Sequence, residues 1–328
     1  MDKKIKIGIC GYGNLGKGVE TGIDLYPDME LAAVFTRRTP APPLKIKKET
    51  PVVHINSVAL WKDKIDVMIL CGGSSNDLPT QGPELARLFN TVDSFDTHAK
   101  IPEYFDAVDK SAKIGENTAI ISLGWDPGLF SLMRLYMGAI IPDGMTYTFW
   151  GKGVSQGHSE AVRRIEGVVD AVQYTIPVEA AMKRVRNGDK AKMSAREKHT
   201  RLCYVVAAEN ADKTKIASEI KGMPYYFDEY DTTVSFISSK EMKAKHSALP
   251  HGGSVIHTGT TGAGSNQTLE FSLKLDSNPE FTSSVLLAYA RVAYMLSEKG
   301  EHGAKTIFDI PPALLLGKNG FDAIKTLL

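Results

Sequence analysis

Two aspartates invite a chemical reading first. Asp96 stands in Ser94-Phe95-Asp96-Thr97-His98 and Asp126 in Leu123-Gly124-Trp125-Asp126-Pro127-Gly128, each just after a short apolar run. Two carboxylates at one mouth would attract an ammonium group and could take up its proton. Each also fits a helix start, and Asp126 with Pro127 behind it matches an N-cap followed by Pro at the first helical position. Trp125 and Trp150 suit the wall of a water-excluding site, and equally a core. Arg201 opens the apolar run Arg201-Leu202-Cys203-Tyr204-Val205-Val206. A guanidinium is costly to bury there unless an anion meets it, and a carboxylate would meet its fork with two hydrogen bonds; the other reading is an exposed strand end. His251, in Pro250-His251-Gly252-Gly253, is flanked by glycines that allow a ligand to come close. The eight histidines show no ligand spacing such as HExxH, so no metal site is expected.

The elements that would position these groups begin near the N-terminus. Ile5, Ile7 and Ile9 alternate with polar or small residues as a strand does, and Gly11, Gly13 and Gly16 follow as G-x-G-x-x-G around Tyr12, Asn14 and Leu15. Leu15, Val19, Ile23 and Leu25 then recur at helical spacing. Strand, glycine turn and helix in that order form the entry to a dinucleotide site. One glycine allows the tight turn, one lets the pyrophosphate approach, and one lets the helix pack on the strand. The helix N-terminus offers its free N–H groups to the phosphate. The second strand ends in Thr36-Arg37-Arg38 with no acid for a ribose hydroxyl, and two arginines suit a 2′-phosphate, so the cofactor expected is NADP. A third apolar strand, residues 65–70, runs into Cys71-Gly72-Gly73-Ser74, small residues that permit close approach. These loops, with Ser94-Phe95-Asp96 and Leu123 to Pro127, belong on the carboxyl edge of one parallel sheet, where ligands bind.

Strands and helices alternate up to Gly124, which predicts an α/β fold: a Rossmann-type doubly wound parallel sheet over residues 1–124. Pro40, Pro42, Pro43 and Pro51 mark an irregular connection within it. Residues 125–298 read as a second, α+β domain on an open mixed sheet, and 299–328 as a tail that packs back on the first. In that domain the spacing predicts a helix over 159–172 with Val168 and Val169 on its buried side. Composition excludes other classes. A chain of 328 residues with 43% hydrophobic and 23% charged residues and net charge +1 has no general nucleic-acid or membrane surface. Cys10, Cys71 and Cys203 form no CxxC pair and read as small core residues. No signal peptide or apolar run of membrane length is visible, so a cytoplasmic protein is expected.

Several stretches together resemble the NADP-dependent meso-diaminopimelate dehydrogenase family: residues 11–16 (GYGNLG), 36–38 (TRR), 94–102 (SFDTHAKIP), 124–128 (GWDPG), 149–159 (FWGKGVSQGHS), 171–177 (AVQYTIP), 223–227 (MPYYF), 250–253 (PHGG) and 274–279 (KLDSNP). The resemblance implies oxidative deamination at the D-centre of meso-2,6-diaminopimelate, with hydride passing to NADP. It implies that Asp96 and Asp126 hold the reacting ammonium beside Trp125 and Trp150. Gln156 and Gly157 would touch substrate, and Thr175, Arg201, His251 and Asn278 would bind the distant L-centre. It further implies a homodimer. The group that activates water stays open among Asp96, Asp126 and His158. SQGHS and GWDPG fit a dihydrodipicolinate reductase poorly, and a non-catalytic NADP sensor would keep GYGNLG and Arg37-Arg38 but has no need of paired acids, a substrate arginine and enclosing tryptophans.

Overall fold

Alternation at Ile5, Ile7 and Ile9 produces a strand whose isoleucines are 7%, 0% and 0% exposed, and it lies between its two parallel neighbours in the interior of the first sheet. The computed structural model describes residues 3–38, 44, 46, 49–316 and 320–328. Strands β1 (Ile5–Cys10), β2 (Met29–Thr36), β3 (Val52–His54), β4 (Val67–Leu70), β5 (Asn90–Asp93) and β6 (Thr118–Ile120) lie parallel in one sheet. Its order is β3-β2-β1-β4-β5-β6, extended beyond β6 by a late strand, Gly303–Lys305. Helices Asn14–Gly22, Leu78–Ala86 and Ile101–Gly115 form the crossovers. Parallel strands covered on both faces become nearly continuous apolar runs, and β4 is buried at all four positions. Pro40, Pro42 and Pro43 lie outside the described residues. The stretch after them is more regular than expected, because β-branched Val52 and Val53 pair with β2 and 3-10 turns occupy Ile55–Lys64.

The chain divides into two compact units, Met1–Leu132 with Pro279–Leu328, and Met133–Asn278. The long helix Asn278–Ser297, assigned by the sequence reading to the second domain, supplies Leu286, Leu287, Ala290, Val292 and Ala293 to the first unit's core.

The second unit holds β7 (Asp143–Trp150), β8 (Gly153–Val154), β9 (Val168–Pro177), β10 (His199–Ala207), β11 (Asp231–Phe236), β12 (His251–Thr261) and β13 (Ser265–Leu275). A mixed sheet runs β11-β10-β9-β8, with β10 and β11 parallel and the other pairs antiparallel. An antiparallel sheet, β13-β12-β7, stands beside it in the topology because β12 uses both its edges on β7 and β13. The helix expected over 159–172 is shorter, Gln156–Arg163. Gly167 takes φ +82° and the β-branched run after it joins β9, so Val168 and Val169 are strand residues and Val169 is exposed.

Burial raises the thiol pKa of Cys10, in the first unit, and of Cys203, in the second, to about 12 each, and pushes Cys71 up as well. Among the described residues no helix is long and apolar enough to cross a membrane, and no group of three His, Cys, Asp or Glu is placed to hold a metal.

Candidate active site

The glycine turn does in space what its spacing predicts. Gly11 has φ +97°, and its N–H donates to the Phe35 carbonyl at 2.8 Å. A Cβ on Gly16 would drive into the Gly11 carbonyl, whereas a Cβ on Gly13 would meet nothing within 4 Å. Gly16 is therefore small for packing, and Gly13, the N-cap of Asn14–Gly22, faces open space. Tyr12 turns inward: it is 7% exposed and its hydroxyl donates to Glu20 at 2.5 Å. A cleft of about 220 Å³ runs from this turn past Thr36, Arg37 and Arg38 to Cys71, Gly72 and Gly73.

Asp77 completes that cleft. Its carboxylate accepts the Gly73 N–H at 2.9 Å and pairs with the Arg37 guanidinium at 2.8 Å. Thr36 accepts the Arg38 N–H at 3.1 Å. Ser74 reaches the next loop, accepting the Asp96 N–H at 2.8 Å and lying 3.3 Å from the Thr97 hydroxyl. The side chain of Asp96 is exposed.

The loops after β5 and β6 are joined through a buried acid. Asp93, 1% exposed, accepts hydrogen bonds from the Phe95 N–H (2.9 Å), the Ser122 N–H (3.0 Å) and the Tyr104 hydroxyl (2.7 Å). Burial raises its pKa, and the three donors oppose that rise. Its backbone carbonyl accepts the Leu123 N–H at 2.8 Å, and Phe95 stacks on Tyr104 with centroids 4.1 Å apart. The loops that carry Asp96 and Asp126 are thus both tied to Asp93, at Phe95 and Ser122 through its carboxyl group and at Leu123 through its backbone carbonyl.

Asp126 does not occupy the cap position considered for it. The helix opens at Leu129, the Asp126–Pro127 peptide is cis, and Trp125 bridges to Gly128. A Cβ on Gly128 would strike the Gly124 carbonyl, and Gly124 itself takes φ +153°, which accounts for both glycines of GWDPG. Trp125 packs edge-on against Phe130, centroids 5.3 Å apart.

In the second unit the β9–β10 register sets Arg201 opposite Thr175. Arg201 is 8% exposed; its Nη1 donates to the Thr175 hydroxyl, and its guanidinium carbon lies 3.9 Å from the centre of the Tyr230 ring. β8 brings Gly153 beside Thr175, and a Cβ on Gly153 would collide with the His251 ring. His251 is the first residue of β12, where the Val154 N–H bonds the Pro250 carbonyl and the Gly151 N–H bonds the Gly252 carbonyl. Its Nδ1 accepts the Gly252 N–H at 2.8 Å, and burial lowers its pKa. The Asn278 N–H donates to the Leu249 carbonyl, two residues before His251. Gln156 and Gly157 open the helix Gln156–Arg163, capped by Ser155, and both are exposed. His158 lies 2.6 Å from the Ser155 hydroxyl; burial, then the charge of Arg201, lowers its pKa to about 4. His199 accepts the Trp150 N–H.

Reasoning from sequence missed Asp77, Asp93, His199 and Tyr230. Only His199 left a signal: it stands two residues before Arg201, on the same face of a strand. The other three are acids or aromatics in ordinary surroundings whose roles come from residues distant in the chain.

A nucleotide-type parallel sheet with a glycine turn at its first strand and acids on its carboxyl edge defines a dinucleotide-dependent dehydrogenase. Comparison with known proteins narrows that class. The diaminopimelic acid dehydrogenase C-terminal domain matches residues 124–277. The chain is 60% identical over 325 residues to the meso-diaminopimelate D-dehydrogenase of Ureibacillus thermosphaericus, covering 99% of each protein. A meso-DAPDH from Clostridium tetani E88, crystallised with DAP and carrying six substitutions, superposes with a TM-score of 0.93 at 52% identity, over 99% of this chain and 100% of that one. An engineered D-amino acid dehydrogenase bound to NADP+ gives 0.88 at 40%, over 99% and 100%. The chain belongs to the meso-diaminopimelate D-dehydrogenase family.

Proposed function

We propose that this chain oxidises the D-configured centre of meso-2,6-diaminopimelate with NADP, releasing ammonia and leaving L-2-amino-6-oxopimelate, and that in reverse it performs the reductive amination of lysine biosynthesis. One observation carries the reading. The Clostridium tetani structure, which contains DAP, replaces a Gln, a Thr, an Arg, a Pro, a His and an Asn. The same six types recur here at the same intervals, as Gln156, Thr175, Arg201, Pro250, His251 and Asn278.

NADP, when bound, supplies the hydride acceptor. Its fit rests on the open side of Gly13, the free N–H groups of Asn14 and Leu15 at a helix start, and the arginines on the cleft. Arg37 and Arg38 would hold the 2′-phosphate. Gly11 to Gly16, Thr36, Cys71 to Ser74, Ser94 to Asp96 and Leu123 to Pro127 would line the remainder. Asp96 and Asp126 hold the ammonium at the reacting carbon and take up its proton, with Trp125 and Trp150 excluding water. Arg201 receives the distal carboxylate, assisted by Thr175, His251 and Asn278, while Gln156 and Gly157 contact the chain between. Fixing the far end is what lets a near-symmetrical diamino diacid present one centre and not the other. His158 is unprotonated at neutral pH and can accept a proton when water adds. We also propose that the enzyme is a cytoplasmic homodimer; sedimentation should then show a species of twice 35.8 kDa.

The test is formation of reduced cofactor from meso-diaminopimelate and NADP. Turnover is expected with the meso isomer and none with the LL isomer; the opposite pattern would end this reading. Asp126→Asn should lower kcat by about 10² or more, the scale of lost acid–base help, and near-normal turnover would remove Asp126 from that role.

A further inference from the structure

We infer that Tyr230 is a specificity-determining positioning residue: it clamps the Arg201 guanidinium flat, so that the in-plane N–H edge is preset for the distal carboxylate of the substrate. The inference rests on the proposed reading of Arg201 as the distal carboxylate site. A guanidinium carries five N–H donors in one plane, and nothing on its faces donates. Two residues hold it here. The Thr175 hydroxyl takes one in-plane donor, Nη1, and so fixes rotation within the plane. The centre of the Tyr230 ring lies 3.9 Å from the guanidinium carbon and so covers one face of the group. The Nε donor is buried and has no hydrogen-bond partner among the described residues. An arginine that is 8% exposed, gripped on one face and at one corner, keeps its remaining donors aligned for a planar, two-oxygen acceptor.

Tyr230 is itself held in place. Its N–H donates to the carbonyl of Phe227 at 3.0 Å, and the Phe227 side chain is fully buried. The next residue, Asp231, begins β11, whose parallel register sets Thr232 beside Arg201. The ring therefore reaches Arg201 from a backbone tied at both ends, and its partial exposure means that shortening it opens no core cavity.

The test compares Tyr230→Phe, which keeps the ring, with Tyr230→Leu, which removes it. Tyr230→Leu should raise KM for meso-diaminopimelate about tenfold or more, the scale of a desolvated cation–π contact, with kcat within about threefold. D-Lysine lacks only the distal carboxylate, and its kinetics should not change. Tyr230→Phe, which keeps the ring and loses only the hydroxyl's interaction with Arg201, should raise KM less than Tyr230→Leu does. In an Arg201→Met background, Tyr230→Leu should add nothing further. A separate arm uses pimelate, which keeps the carboxylates and lacks the amines: calorimetry should show weaker binding to Tyr230→Leu than to the wild-type enzyme. Equal pimelate affinity, or equal losses for meso-diaminopimelate and D-lysine, overturns the inference. A wild-type enzyme that binds pimelate but does not oxidise meso-diaminopimelate overturns the proposed function instead.

Discussion

The imidazole of His199 accepts the backbone N–H of Trp150 at 2.8 Å and lies against the indole of the same residue, centroids 5.2 Å apart and 22° from parallel. Acceptance through Nε2 requires the neutral ring with its proton on Nδ1. Burial, then the charges of Lys198 and Arg201, lowers the pKa of His199 to about 3, which keeps that form at neutral pH.

A pH dependence follows. The folded pKa lies below the ordinary 6.5, so between 6.5 and about 3 the unfolded chain binds the extra proton. Stability is full above 6.5 and falls as pH drops through that window, by about 1.4 kcal/mol per pH unit for one such group. His158 contributes in the same direction down to about 4. His199→Gln keeps an acceptor and removes the titration, so its melting temperature should fall less than that of the wild-type protein between pH 7.5 and pH 4.5. Parallel melting curves for the two proteins would refute the assignment.

Asp93 is expected to matter for both stability and rate. Asp93→Leu strands three buried donors, each costing about 1–3 kcal/mol, and a total of about 3 kcal/mol or more should appear in the urea midpoint. kcat should fall with it, since the loops bearing Asp96 and Asp126 lose their shared anchor. Asp93→Asn retains an oxygen for the two backbone donors and should cost less on both counts. A leucine variant as stable and as fast as the wild-type enzyme would contradict this account.

Arg37 is ion-paired to Asp77 with its own side chain 66% exposed. Such surface pairs contribute about 0–1 kcal/mol, so a phosphate can recruit the guanidinium at little cost. Replacing Arg37 and Arg38 with Ala should raise KM for NADP by tenfold or more, from lost hydrogen bonds to charge worth about 1.5–3 kcal/mol each, and change KM for NAD little. Equal losses with the two cofactors would take the arginines out of the 2′-phosphate role.

What could be read from the chain alone was whatever the backbone dictates locally. The glycine spacing is legible because Gly11 needs a positive φ and Gly16 needs contact with Gly11, both within six residues. Arg201 is legible because a charge in an apolar strand demands a partner. Asp93 is not, since its donors at Ser122 and Tyr104 arrive only when β5 and β6 pair and a helix folds across them. Asp126 was ambiguous for a related reason: Asp-Pro is a good helix start, and only the Trp125–Gly128 bridge and the Gly124–Gly128 approach move that start to Leu129. At Val168 the helical spacing was real, but Gly167 broke it and the neighbouring strand claimed the valines.

The sulfur chemistry gives each unit its own clock. Cys10 ends the first strand of one unit and Cys203 sits within a central strand of the other, 1% and 0% exposed. Neither thiol ionises near neutral pH, and thiolate is the form that reacts with alkylating reagents. Labelling of Cys10 and Cys203 therefore waits for a strand to open, whereas Cys71 is only half-buried. Digestion and mass measurement separate the two sites, so the breathing of each unit can be timed in a single native sample, with no engineered probe and with cofactor or substrate present.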